Sequence, residues 1–233
     1  MQEGHLGLML LRWLHFMFGI TWIGILYYFN FVQGPFFAET DATTKSAATQ
    51  KLVPRALWWF RWSAMGTFLV GLLILLNNWV LDGGHFIRSS YGITILTGGT
   101  LGTLMFLNVW LVIWPKQKVV IASAVAAASG GQADPAAGPA GRRAFLASRT
   151  NVLFSLPMLF FMGAARHWPH ADASAFGVVV WLLIGGVVIA AIEYNALTAT
   201  QGSTTQPLEK VSSVIHSGLA LTLVLVILVR LVT

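Results

Sequence analysis

Two histidines stand inside apolar runs of this chain, His15 in "LRWLHFMFGITW" and His216 in "VSSVIHSGLALT". A neutral imidazole is a ligand for iron, and a helical bundle can enclose a porphyrin, so the chemistry that this pair suggests is ligation of haem b. The plainer alternative is an imidazole hydrogen-bonded to a neighbouring helix. At 1.5 Å per residue, His15 falls ~13 Å below one face of a ~30 Å hydrocarbon core, and His216 ~8–10 Å above the other. Their heights then differ by ~7–9 Å, so joint ligation of one iron requires a tilt or a shifted boundary.

His15 has polar company. At 100° per residue, with His15 as zero, Gly19 lies at about 40°, Trp22 at about −20°, Leu26 at about 20°, Asn30 and Arg12 at about 60° and Gln33 near 0°. One face therefore carries Arg12, His15, Asn30 and Gln33. Hydrocarbon penalises unpaired polar groups, so that face is expected to look into a bundle or cavity. Around His216, Glu209 falls at about 20°, Ser212 at about −40° and Ser213 at about 60°. Further polar residues in apolar runs are Asn77, Asn78, Asn108, Asn151 and Glu193. Outside the apolar runs, "LDGGHF" offers Asp82 and His85 as metal ligands or a gate, against the simpler reading of loop polarity.

The elements that must position these groups are membrane helices. Of 233 residues, 56% are hydrophobic and only 9% charged, against about 25% charged in a soluble domain. Six apolar segments, at roughly 7–33, 63–81, 92–114, 145–165, 174–196 and 211–231, are each near the ~20 residues that span a bilayer. None alternates with period two, so the expected fold is all-α, a six-helix polytopic bundle within a single domain, 1–233. Ten Lys and Arg residues fall on one side of this topology (Lys45, Lys51, Arg55, Arg61, Lys116, Lys118, Arg142, Arg143, Arg149, Lys210), against Arg12, Arg88, Arg166 and Arg230 on the other. That bias places both termini on the outer, periplasmic side. The spread of basic residues between apolar segments, with no Lys- or Arg-rich run, argues against nucleic acid as a partner.

The connection 115–144 is rich in Ala, Gly and Pro and reads as a flexible cytoplasmic linker. In "VPRALWWFRW", Pro54 suits a helix start, and Trp58, Trp59 and Trp62 suit an interfacial belt. Gly98 and Gly102 have the spacing of a close helix contact, and Gly185 and Gly186 suit another. The absence of cysteine removes disulfides, thiolate metal sites and covalent c-type haem from this chain. The first apolar segment lacks a basic leader and a cleavage site, so it reads as a retained helix.

The runs "LHFMFGITWIGILYYFNFVQGPFF" and "VPRALWWFRWSAMGTFLVG" resemble the membrane domain of the bacterial cytochrome c-linked urate oxidases of the PuuD type. The likeness extends through all six segments and is most distinctive over residues 14–71. More loosely, the first segment is similar to HemJ-type protoporphyrinogen oxidases and CopD-like proteins, in which a first-helix histidine matching His15 is associated with haem. The resemblance implies purine degradation at a bacterial inner membrane. Urate is oxidised to 5-hydroxyisourate with water as oxygen source, and the electrons pass to a cytochrome c. A planar purine anion calls for cations, amides and stacking surfaces. By residue type, Asn30, Gln33, Arg55, Trp58, Trp59, Arg61 and Trp62 answer that need. The family carries a cytochrome c domain after the membrane part, whereas this sequence stops at Thr233, so the acceptor is expected to be a separate protein.

Three readings stay open on these residues. The chain is a urate oxidase-type oxidoreductase, a non-catalytic subunit of a larger respiratory or photosynthetic complex, or a haem b protein of HemJ type.

Overall fold

The computed structural model describes residues 2–233, and their side chains from Leu6 onward. Six long apolar helices span Leu6–Glu39, Val53–His85, Ser90–Ala128, Ala137–His167, Ala175–Thr198 and Val211–Val232, called here the first to the sixth helix. Among the described residues there is no strand. The chain is an all-α, polytopic membrane bundle.

Local chemistry explains where the helices begin. Asp41 accepts from the backbone N–H groups of Thr43 and Thr44, both at 2.9 Å, and caps a short helix, Ala42–Lys51. Ser89 and Ser174 cap the third and fifth helices through Gly92 and Gly177, at 3.0 and 2.9 Å. Pro54 sits in the first turn of the second helix, where its missing N–H costs nothing. That helix therefore starts at Val53 and takes in the whole of "VPRALWWFRW", ten residues before the boundary at 63 read from hydropathy.

The stretch 115–144 is not an open linker. The third helix continues through Ala128 and the fourth begins at Ala137, leaving only 129–136 between them. Alanine-rich composition suits a linker and a helix alike. Here the strong helix propensity of alanine prevails, and "IASAVAAA" prolongs the third helix. Thirty-nine residues at 1.5 Å each give the third helix a length of about 58 Å, well beyond the ~30 Å hydrocarbon core. The overhang lies at the Lys- and Arg-rich end, where it packs on the Ala42–Lys51 helix.

The fourth helix is the hub. It packs against the first, third, fifth and sixth helices and is the most buried of the six. The first helix lies mainly along the second, and the sixth along the fourth and fifth. Two small-residue contacts fix the spacing. A Cβ on Gly98 would stand 3.2–3.3 Å from Phe161 and from the backbone at Met158 and Met162, so the third helix meets the fourth there. Pro157, inside the fourth helix, supplies no N–H to the carbonyl of Leu153 four residues earlier. Gly218 of the sixth helix comes up to that freed oxygen, only 2.8 Å from where a Cβ would stand. Gly185 faces Leu228, whereas Gly186 faces open space.

Candidate functional site

Polar side chains of the first, third and fifth helices gather at the fourth. Asn151 donates from Nδ2 to the carbonyl of Met105 at 3.0 Å. A carbonyl only accepts, which orients the amide and turns Asn151 Oδ1 toward Asn108 on the third helix. Asn108 Nδ2 has two hydrogens. One goes to Asn151 Oδ1 at 3.0 Å and the other to Glu193 Oε2 on the fifth helix at 3.1 Å. Asn108 and Asn151 are fully enclosed and Glu193 is half-buried. Among the described spans, Glu193 is the one carboxylate set inside a helix away from its ends.

The first helix joins the same hub. Tyr27 reaches Ser155 at 2.9 Å, and because the Ser155 hydroxyl already donates to Val152 at 2.7 Å, the phenol is the donor. Asn30 donates from Nδ2 to Ser148 Oγ and to its own helix at Leu26, both at 2.8 Å. Three helices widen to π-helical turns, at Tyr28–Gln33, Asn108–Ile113 and Trp181–Gly185. Such turns recur at functional sites, and they carry Asn30, Asn108 and Trp181. The Trp181 indole donates to Thr97 at 3.1 Å.

At the basic end, Arg142 grips both carboxylate oxygens of Glu209, at 3.1 and 2.5 Å. These charge-assisted bonds hold the Glu209 carboxyl below the usual range. Arg143 donates to the carbonyls of Ala196, Thr198 and Ala199, closing the C-terminus of the fifth helix. Between these arginines and Lys116 lies a cleft of about 530 Å³. Arg149, on the same helix, is 6% exposed, and its Nε and Nη1 have no partner.

The residues singled out by sequence are only partly brought together. His15 donates from Nδ1 to the Thr67 carbonyl at 3.0 Å, leaving Nε2 as the unprotonated nitrogen of the neutral ring. Its ring lies so close to the second helix that a Cβ on Gly71 would stand 2.8 Å from Cε1. His216 is exposed on the sixth helix, which does not share a packing seam with the first. The two imidazoles thus stand on helices with no packing seam between them.

Asn30 and Gln33 do face inward, Asn30 fully buried and Gln33 with a buried, unpartnered Oε1. Arg55 is exposed, as are Trp58, Trp59 and Trp62, at 47, 59 and 45%, a placement that suits the membrane boundary. Arg61 is half-buried, its guanidinium 3.8 Å from the Trp114 ring centre and 5.9 Å from those of Trp62 and Trp110. Asp82 and His85 are both exposed, and His85 faces Asp172 at 3.4 Å. No group of three or more metal-ligating side chains occurs among the described residues.

In the sequence, Asn108, Asn151 and Glu193 stand out but nothing joins them, and Ser148, Ser155, Trp110 and Trp114 do not stand out. The one available signal was that three of these polar residues sit inside otherwise apolar spans.

Neither a curated protein nor a solved structure matches the sequence. A family model, urate oxidase N-terminal, matches residues 84–228, which is more than half of the chain and runs from the end of the second helix into the sixth. The residues that carry the resemblance most distinctively, 14–71, lie outside that match, while Asn108, Arg149, Asn151 and Glu193 lie within it. The chain thus belongs to the urate oxidase N-terminal family.

Proposed function

We propose that this chain is the membrane domain of a urate-oxidising enzyme of the bacterial inner membrane, with both termini on the periplasmic side, delivering electrons to a cytochrome c. The reaction balances as urate plus water giving 5-hydroxyisourate, two protons and two electrons. Two ferric cytochrome c molecules take one electron each. A base must receive a proton as water adds to the purine. Glu193 has that chemistry, and the amides of Asn108 and Asn151 hold its surroundings in place. The observation that carries the reading is the coincidence of the family match with the segment containing this buried polar lattice. The test is urate-dependent reduction of cytochrome c by the purified protein. Failure with cytochrome c, quinones and ferricyanide alike would sink the proposal.

A second reading, a non-catalytic subunit of a larger redox assembly, is favoured by His216. This imidazole is exposed on the surface of the sixth helix, where a neighbouring subunit would give it a partner. Purification in mild detergent distinguishes the two. Stoichiometric redox subunits together with an inactive isolated chain would favour the assembly reading.

A further inference from the structure

Arg149 is a buried cation for which the described residues supply no hydrogen-bond partner at Nε or Nη1. A guanidinium does not shed its charge, and an unpaired buried charge is strongly unfavourable. The carboxylate that comes nearest to serving it, Glu209, is held by both oxygens to Arg142. Thr150, the next residue, is also fully buried with an unpartnered hydroxyl.

The fourth helix links this group to the basic end of the bundle. Arg142 and Arg149 are seven residues apart, about 20° from eclipsed and about 10 Å along the helix axis. The ring of Phe145 lies between them, 5.5 Å from the Arg142 guanidinium and 5.1 Å from that of Arg149. Arg142 in turn lines the cleft of about 530 Å³ with Lys116 and Arg143. That volume is in the range of small-molecule sites. Arg143 is spent on helix-end carbonyls, whereas Lys116 makes no hydrogen bond or ion pair among the described residues. Cations therefore line the cleft, and the Phe145 ring bridges one of them, Arg142, to the unpaired Arg149 guanidinium.

We propose that Arg149 anchors a small planar anion that enters through the cleft rimmed by Lys116, Arg142 and Arg143. Its identification as a purine monoanion rests on the function proposed above, while the anion site itself does not. The guanidinium supplies paired N–H donors to adjacent oxygen or nitrogen acceptors.

The test compares the thermal stability of the detergent-solubilised wild type, Arg149→Met and Arg149→Lys, alone and with urate or inorganic phosphate. Without ligand, Arg149→Met is expected to be at least as stable as wild type, because an unpaired charge has been removed. Urate should raise the melting temperature of wild type and leave Arg149→Met unmoved, with urate affinity weakened roughly tenfold or more. Arg149→Lys should retain part of the response. Arg149→Met that binds urate as wild type does, or that is markedly less stable without ligand, would overturn the site, as would a wild type that responds to neither anion. The two proposals fail separately. Urate turnover with unchanged KM in Arg149→Met removes the site and leaves the function. Anion binding lost in Arg149→Met, in a wild type that never oxidises urate, removes the function and leaves the site.

Discussion

Asn108 on the third helix donates to Asn151 on the fourth at 3.0 Å, and the same amide nitrogen donates to Glu193 on the fifth. One side chain thus ties three helices. Replacing Asn151 by leucine removes the acceptor of one Asn108 hydrogen and the donor to Met105. The expected cost is about 1–3 kcal/mol, read as a lower midpoint in unfolding of the detergent-solubilised protein.

Glu193→Gln separates structure from chemistry at the same place. A glutamine carbonyl still accepts from Asn108, so the melting temperature should stay near that of wild type. It cannot take up a proton, and urate turnover should fall by roughly 10²–10⁴-fold. Full turnover in this variant would remove Glu193 from the reaction.

Two glycine substitutions offer a matched pair. Gly218→Ala pushes a methyl group against the Leu153 carbonyl and the Leu156 side chain, and overpacking of this kind costs about 1–3 kcal/mol. Gly186→Ala meets nothing within 4 Å and should be neutral or gain up to about 1 kcal/mol from helix propensity. Thermal unfolding of the two single variants checks both signs.

The Arg142–Glu209 pair gives a pH signature. Its carboxylate has a folded pKa below the unfolded value, so its stabilisation is fully present above the unfolded pKa of about 4.3. It is lost as pH falls through the lower, folded value. The side chains are 31 and 41% exposed, which limits the contribution to about 1 kcal/mol or less. Wild type should exceed Glu209→Gln slightly in melting temperature at neutral pH. The difference should close as pH falls below 4.

Class and span number are legible in this sequence because bilayer hydrocarbon acts on composition, which every residue of a span reports. Facing is legible only in part within one helix: Asn30 and Gln33 turn inward as the 100° ruler predicts, whereas Arg12, assigned to the same face, is exposed. Neighbours are not. Asn151 and Glu193 stand 43 and 85 positions from Asn108, and no local period links them. His15 and His216 illustrate the converse, since two residues with matching chemistry lie on helices that do not pack together. Arg149 counted in the sequence only as one more positive charge setting orientation. Its significance depends on burial and on Arg142 having taken Glu209, both tertiary facts.

The hub role of the fourth helix bears on how the protein is made. It is the least apolar of the six, and it carries Arg142, Arg143, Arg149, Asn151 and Pro157. A nascent segment of this composition gains little by partitioning alone from the translocon into lipid. Its polar groups are satisfied only beside Met105, which accepts from the Asn151 amide, Asn108, which donates to it, and Glu209, which accepts from Arg142. The third helix, synthesised just before it, holds two of those three partners. Biogenesis of this bundle should therefore proceed through retention of the third and fourth helices as a pair before either is released into the bilayer.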